Sequence, residues 1–392
     1  MLWPSFFVCL ALCLGGRCAE FPPSPPAARL ARWIGAQQCL NSNLPSFGAV
    51  RDSPEAAAIG PDGKPYCCIC PYDANLAVLG LLRAKTPACS RVADLWIGWY
   101  FAHLNPRSAP DGVPGNQFCR LNGAGETNCV KPGDPHLCCY NDATDSAAAT
   151  FFSVLWAAHQ AGTPAGALAS PEQKQQVITL AGVLLKLQQA DGLCWAKADY
   201  RVKYLEDNSE VFAGLSDLAE LEQEVFHDSL RASSYRAAAK RVQRGILSEM
   251  YDLQAGLFRI AKFEDGKRPE PNLEKWYPDS QAQLWPLLFG VTAANDPTTR
   301  AVISAINGHW NGRLKPDWAS NPGQVNQGWL EAGNAYAMML GGEVQKARSF
   351  VQAAQRLKFR NQAEFAGPFN VADAGWWLQI LTKLPAEIMP NR

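Results

Sequence analysis

The feature that most constrains the fold is a helical motif that occurs six times along the chain. Each copy opens with acidic or amide side chains and continues as a run of aromatic, aliphatic and small residues with few charges after its first turn. A helix that is apolar on nearly all sides is buried in the protein interior. The copies are PYDANLAVLGLLRA at 71–84, NDATDSAAATFFSVLW at 141–156, YLEDNSEVFAGLSDLAEL at 204–221, WYPDSQAQLWPLLFGV at 276–291, GWLEAGNAYAMML at 328–340 and FNVADAGWWLQIL at 369–381.

Helices of a second kind alternate with these copies. They carry charged residues along one face and apolar residues along the other, which is typical of helices that cover a core and face water. Six amphipathic helices alternating with six apolar ones predict an all-α protein in which an outer ring of helices surrounds an inner ring. The amphipathic segments are PAARLARWIGAQQ, RVADLWIGWYFAHL, PEQKQQVITLAGVLLKLQQ, SSYRAAAKRVQRGILSEM, PTTRAVISAINGHW and EVQKARSFVQAAQRL.

The first residues have the features of a signal peptide. Their apolar stretch of about a dozen residues ends in small residues and is shorter than the roughly 20 residues that a membrane span needs. We therefore expect residues 1–19 to be a signal peptide, residues 20–26 a Pro-rich spacer and residues 27–392 a single domain. The expected product is a secreted monomer, extracellular or periplasmic, that is not inserted in a membrane once the signal peptide is removed.

Cysteine usage favours the same compartment. Ten cysteines remain after removal of the leader, and an even number in a secreted chain predicts up to five disulfides that staple the loops. The alternative is metal or redox chemistry at a C-x-x-C pair, but no second pair or histidines at ligand spacing follow. The cysteines are Cys39, Cys67, Cys68, Cys70, Cys89, Cys119, Cys129, Cys138, Cys139 and Cys194.

The charge balance limits the partners. The formal net charge is zero and only 18% of the residues are charged, which argues against an electrostatic grip on nucleic acid or on an anionic membrane. The same balance favours a neutral ligand over a strongly anionic polymer. No phosphate-cradling glycine loop and no H-E-x-x-H motif occur, and we expect neither a cofactor nor a metal.

The alternation of helices, together with the motifs DATDS, EDNSEV and YPDSQAQLWP, resembles the six-hairpin glycosidases. The resemblance extends from about Pro26 to Leu384. It implies an (α/α)6 barrel with a funnel at one end, where the N-terminal turns of the inner helices meet and a sugar chain binds. It also implies a glycoside hydrolase that cleaves a polysaccharide or oligosaccharide with a pair of carboxylates, by inversion.

Three carboxylates are the catalytic candidates. Cleavage of a glycosidic bond needs one carboxylic acid to protonate the leaving oxygen and a second carboxylate to activate water or attack the sugar. We expect Asp145 to be one partner and either Asp207 or Asp279 to be the other. The competing interpretation is that these acids only cap helices, and that a capping box with Asp207 or Asn208 as the cap accounts for Glu210.

Other polar and aromatic side chains of the same motifs and loops are candidates for sugar binding. Amides and carboxylates hydrogen-bond to hydroxyl groups, and aromatic rings stack on the apolar faces of sugars. The candidates are Asp73, Asp142, Trp195, Tyr204, Glu210, Tyr277, Gln281, Trp329, Glu331, Asn334 and Asp373.

Two other functions are compatible with such a barrel. A polysaccharide lyase or sugar epimerase would need basic residues to neutralise a sugar carboxylate, and near the motifs only Lys197, Arg201 and Lys203 qualify. A non-catalytic carbohydrate-binding barrel would have the same architecture without the acid pair. The carboxylates of the motifs favour the hydrolase.

Overall fold

The computed structural model describes residues 26–54, 58–59, 63–84, 87–104, 112–120, 126–127, 143–310, 332–358 and 370–384. Within them, all six copies of the motif lie next to one another as an inner ring. Each inner element packs against the next, and the last packs against the first, so the ring is closed. The inner elements are α2 (Pro71–Ala84), α4 (Thr144–Gln160), α6 (Leu205–Glu224), the segment that ends in the short helix α8 (Trp285–Leu288), α10 (Ala332–Leu340) and α12 (Val371–Lys383).

The six amphipathic segments form the outer helices, which pack on the inner ring. Two of them begin with strong caps: Ser170 and Gln173 make a reciprocal capping box on α5, and the Asp228 carboxylate accepts from Arg231 N on α7. The outer helices are α1 (Pro26–Ala36), α3 (Pro87–Ala102), α5 (Pro171–Leu187), α7 (Ser229–Gly245), α9 (Pro297–Trp310) and α11 (Val344–Lys358). The predicted alternation of inner and outer helices is therefore present.

Short antiparallel strands occupy the loops. They form a four-stranded sheet in the order β1-β2-β3-β4 and two pairs, β5 with β8 and β6 with β7. The strands are β1 (Ala58–Ile59), β2 (Pro65–Ile69), β3 (Gln117–Arg120), β4 (Glu126–Thr127), β5 (Val202–Tyr204), β6 (Tyr251–Asp252), β7 (Leu257–Phe258) and β8 (Ala261–Phe263).

The fourth inner element is irregular. It begins with a wide helical turn, Trp276–Ser280, in which Tyr277 has a non-helical backbone, and its longest run of regular helix is the four residues of α8. Pro278 and Pro286 explain this, because proline lacks the N–H that a continuous helix needs and restricts the residue before it. The irregular backbone leaves Tyr277 at the surface, with 61% of the residue exposed.

Small residues let the inner helices approach closely. A Cβ on Gly80 of α2 would lie 2.4 Å from the Gly375 carbonyl oxygen of α12, and one on Gly214 of α6 would lie 2.4 Å from the Ala149 carbonyl oxygen of α4. Both distances are shorter than van der Waals contact, so the backbones meet where a larger side chain has no room. The small residues that follow Asp145 in α4 serve this contact.

The predicted disulfides are not shown by the structure. Cys70 and Cys194 carry free thiols, so an arrangement in which all ten cysteines pair is not formed. Cys70 is hydrogen-bonded to the Asp73 side chain, and the Sγ of the buried Cys194 lies 4.0 Å from the Leu184 carbonyl oxygen. Cys129, Cys138 and Cys139 lie outside the described residues, as do the predicted signal peptide and nearly all of the spacer. Among the helices described, none is long and apolar enough to cross a bilayer.

Candidate active site

Asp145 lies in the first turn of α4 with its side chain fully buried. Two N–H groups of the helix end are satisfied without its side chain, because Thr144 N and Asp145 N donate to the Ala196 carbonyl oxygen at 2.8 and 3.3 Å. Its Oδ1 accepts from Ser146 N at 2.9 Å, and its buried Oδ2 has no hydrogen-bond partner. A buried carboxylate oxygen without a donor is costly, so this atom is available to a bound ligand.

The capping box proposed for Glu210 is not present. With Asp207 as the cap, helix α6 would begin at Asn208. It begins three residues earlier, at Leu205, because β5 pairs with β8 and directs the chain into the helix from Tyr204. Asn208, the other proposed cap, instead accepts from Cys194 N at 2.7 Å and donates to the Tyr204 carbonyl oxygen at 2.8 Å. Glu210 is thus a buried residue of the second turn and caps nothing.

Two donors hold one oxygen of Glu210. Tyr72 Oη donates to Glu210 Oε1 at 2.6 Å, and Trp285 Nε1 donates to the same atom at 3.2 Å. The second oxygen, Oε2, is buried without a hydrogen-bond partner. Burial raises the pKa of Glu210 to about 8, and the charge of Asp207 adds to the rise, while hydrogen bonds from the Tyr72, Trp285 and Ser146 side chains oppose it.

Asp145, Asp207 and Glu210 form one electrostatic group. Burial raises the pKa of Asp145 well above its ordinary value, and the nearby charges of Asp207 and Glu210 raise it further. Asp207 is the partly exposed member of the group, and its charge raises the pKa of both Asp145 and Glu210. Carboxyl groups that interact this strongly do not all ionise near neutral pH, so the group retains protons that it can donate.

A second group of acids lies beside the first, on α2 and α12. The Asp73 carboxyl is hydrogen-bonded to the Asp52 carboxyl, and its pKa is raised well above the ordinary value by burial, by Asp52 and by Asp373. Asp52 comes from the loop after α1, which is fixed by hydrogen bonds from Asp52 N to the Cys68 carbonyl and from Val371 N to the Asp52 carbonyl. Tyr72, next to Asp73, links the two groups through Glu210.

Three tyrosines lie together next to Asp207. Tyr200 Oη and Tyr204 Oη are 2.8 Å apart, and Tyr277 lies close enough to perturb the pKa of Tyr204, which is raised mainly by burial. Asp207 also contributes to that rise, which places the tyrosines beside the first acid group. Tyr200 and Tyr277 are exposed, so their rings are accessible to a ligand.

Three further candidates belong to the fourth and fifth inner elements. The Asp279 Oδ1 accepts from Asn272 N at 2.9 Å, so this buried carboxylate holds the preceding loop in place. Asn334 donates to the Gln281 carbonyl oxygen at 3.3 Å, and the Asn334 Oδ1 is buried without a partner.

The ammonium group of Lys203 lies over the ring of Trp195. Lys203 Nζ is 4.2 Å from the Trp195 ring centre and 2.7 Å from both carboxylate oxygens of Asp191. The pKa of Asp191 is lowered, although burial opposes this, because Lys203 and Lys262 both donate to it. One face of the Trp195 ring is therefore covered by a structural ion pair.

Three predicted residues, Asp142, Trp329 and Glu331, lie outside the described part of the chain. Within that part, no group of three or more histidine, cysteine, aspartate or glutamate side chains is placed to hold a metal ion.

Three residues of the site were not predicted from the sequence. Tyr72 and Trp285 are in the repeated motif, but nothing in their spacing distinguished them from core or surface residues. Asp52 is outside the motif, and only the path of the loop brings it to α2 and α12.

No protein-family model matches this sequence, and no curated protein matches it. Solved structures do match. A wild-type glycosidase aligns with a TM-score of 0.57 and 11% identity over 93% of this chain and 98% of that protein. An alpha-amylase from Clostridium perfringens gives a TM-score of 0.57 and 11% identity over 91% and 96% of the two chains.

A third structure is a GH63 mannosylglycerate hydrolase from Thermus thermophilus in complex with glucose. It aligns with a TM-score of 0.56 and 13% identity over 92% of this chain and all of that one. At these identities the similarity shows the fold. The chain has the mostly helical (α/α)6 architecture of these glycosidases, and this prediction is confirmed.

Proposed function

We propose that the protein is a glycoside hydrolase in which Asp145 is the general acid and Asp207 the general base. The observation that carries the proposal is the group formed by Asp145, Asp207 and Glu210 on two adjacent inner helices of a glycosidase-type barrel. Burial and like charge keep Asp145 protonated, as an acid that protonates a leaving oxygen must be. Its unpartnered Oδ2 is the atom that would donate the proton.

Asp207 is suited to the opposite role because it is the most exposed of the three. A carboxylate in contact with solvent can bind and activate a water molecule, which is the step that leads to inversion. Glu210 Oε1 is occupied by Tyr72 and Trp285, which leaves only Oε2 for a sugar hydroxyl. The adjacent tyrosines would stack on the sugar faces.

Two of the three bases near the motif form ion pairs with other acids, which argues against a lyase or an epimerase. Arg201 pairs with Glu264, and Lys203 pairs with Asp191. Neither is free to neutralise a sugar carboxylate.

The decisive experiment measures reducing ends released from a panel of oligosaccharides by the wild type and by Asp145→Asn and Asp207→Asn. Each substitution is expected to lower kcat by about 10²–10⁴-fold, with KM little changed. Asp265→Asn, in an exposed turn, is the matched control and should retain full activity. Activity that survives both site substitutions would refute the residue assignment, and loss of activity only in Asp279→Asn would transfer the base role to that residue. Proton NMR of the first product identifies its anomer and tests inversion.

We also propose that the protein is exported after removal of residues 1–19 and acts as a monomer. Cysteines other than Cys70 and Cys194 are then available to form up to four disulfides. Mass spectrometry of the exported protein, with and without reduction, tests the cleavage site and the disulfide number.

A further inference from the structure

The mouth of the barrel, where the N-terminal turns of the inner helices meet, is acidic, although the formal net charge of the whole chain is zero. Seven acidic side chains lie in or beside the first two turns of four inner helices; six of them perturb or are perturbed by another acid of the set, and the seventh, Glu206, perturbs Tyr72 among them. They are Asp52, Asp73, Asp145, Glu206, Asp207, Glu210 and Asp373. The net charge of zero therefore conceals a strongly acidic site.

Within the described part of the chain, the charges that most perturb these carboxyls belong to other carboxyls. Arg201, Lys203 and Lys262, which come from the loops around α6, are paired with Glu264, Asp191 and Glu249 instead. The N-termini of the four helices offset part of the acidity, at about half a positive charge each and thus about two charges together. Seven carboxyls exceed that compensation.

Two buried atoms show that the site is built to receive a ligand. Asp145 and Glu210 are at most 1% exposed, and each has one carboxylate oxygen with no hydrogen-bond donor. A ligand that brings donors and positive charge would satisfy both oxygens and relieve the repulsion between the acids.

We propose that the site binds an oligosaccharide of amino sugars, whose ammonium groups are recognised by the acids around Asp73 and Glu210. This inference rests on the proposed glycosidase function for its sugar specificity. The exposed rings of Tyr200 and Tyr277 suit both the sugar faces and cations, since aromatic faces attract ammonium groups. The acid pair Asp52 and Asp73 lies to one side of Glu210, where it would bind the ammonium group of a neighbouring sugar unit.

Proton release distinguishes this ligand from a neutral one. The free site holds protons because its acids crowd together, and an ammonium group replaces them as the compensating charge. Binding of a glucosamine oligomer should therefore release protons to the buffer. A neutral oligomer of equal length should release few.

The test is isothermal titration calorimetry of the full chain at about pH 6, where the amines are protonated, in two buffers of different ionisation enthalpy. The probes are oligomers of glucosamine, N-acetylglucosamine and glucose of the same length. We expect the glucosamine oligomer to bind at least about tenfold more tightly than the others, to release protons and to weaken with added salt. Asp73→Asn and, independently, Asp52→Asn should each remove most of this preference, whereas Asp265→Asn should not.

The outcomes separate the two proposals. If neutral oligomers bind as well as glucosamine oligomers and are hydrolysed, the amino-sugar inference is overturned and the hydrolase stands. If glucosamine oligomers bind selectively with proton release but no oligomer is cleaved, the inference is supported and the hydrolase fails. If none of the three oligomers binds, the amino-sugar inference is overturned, and the hydrolase proposal is decided by the reducing-end assay on the wider panel.

Discussion

Glu210→Gln should make the protein more stable at alkaline pH, although it alters the centre of the candidate site. The side chain is 1% exposed, and its carboxyl has a pKa of about 8 in the folded protein compared with an ordinary value of 4.5. Between these values the unfolded chain loses this proton while the folded protein keeps it. The free energy of unfolding therefore falls as pH rises through that window and stays low above about pH 8.

The magnitude follows from the same two values. The difference between 4.5 and about 8, at 1.36 kcal/mol for each pH unit, gives about 5 kcal/mol as an upper limit for this group. Protons that redistribute among Asp145 and Asp207 reduce the observed effect to about 2–5 kcal/mol. Glutamine does not ionise, and its Oε1 can still accept from Tyr72 and Trp285.

The assay is urea unfolding of wild type and Glu210→Gln, followed by tryptophan fluorescence and circular dichroism at pH values from about 5 to 9. The stability of the variant relative to wild type should increase steadily with pH and level off above about pH 8. Glu220→Gln is the matched control, since Glu220 lies on the outer side of the same helix and pairs with Arg236 in solvent. It should change stability by less than about 1 kcal/mol at every pH. A Glu210→Gln difference that is flat across the range would refute the claim that this carboxyl is held protonated by burial and by Asp207.

Three further predictions concern helix packing, the buried ion pair and acid catalysis. Gly214→Ala should cost about 2–3 kcal/mol in thermal unfolding because the added Cβ would meet the Ala149 carbonyl. The control is Gly98→Ala on α3, whose added Cβ would have open space around it, and this change should be neutral or slightly stabilising. Equal effects of the two substitutions would contradict the close approach of α4 and α6. Lys203→Met should cost about 1–3 kcal/mol in urea unfolding at neutral pH because the partly exposed Asp191 then keeps only Lys262 as a partner. A cost below about 0.5 kcal/mol would show that the pair with the buried Lys203 adds no more than a surface contact. The hydrolysis rate should fall on the alkaline side as pH rises through the raised pKa of Asp145, and a rate that instead rises there would exclude Asp145 as the acid.

The helical architecture was predictable because burial leaves a direct record in the sequence. Apolar and amphipathic helices have different charge patterns, and their alternation gave the order of the inner and outer rings. The fourth inner element was also located correctly, but its wide turn and short helix depend on two prolines whose local backbone could not be derived from periodicity.

The site was only partly predictable, because its geometry depends on contacts between distant segments. The acids of the first turns of α4 and α6 could be interpreted as caps, yet the Ala196 carbonyl accepts from two N–H groups of α4, one oxygen of Asp145 is left without a partner, and the β5–β8 pairing sets the start of α6. Asp52 could not have been chosen from the sequence, since a loop outside the repeat carries it. Repeats predict which helices meet, but the side chains that loops add to the meeting point have no periodic signal.

The close helix packing and the coupling of the acids have a common origin. Asp145 is four residues before Ala149, and Glu210 is four residues before Gly214, so each carboxyl lies about one helical turn from the point where α4 and α6 touch. Asp73 and Asp373 are similarly close to the contact of Gly375 with Leu76 and Ala77. Because the backbones meet without intervening side chains, the acids one turn away are brought near enough to raise one another's pKa. The small residues of the inner helices thus do more than fill the core: they set the distance at which the carboxyls of the mouth share their protons.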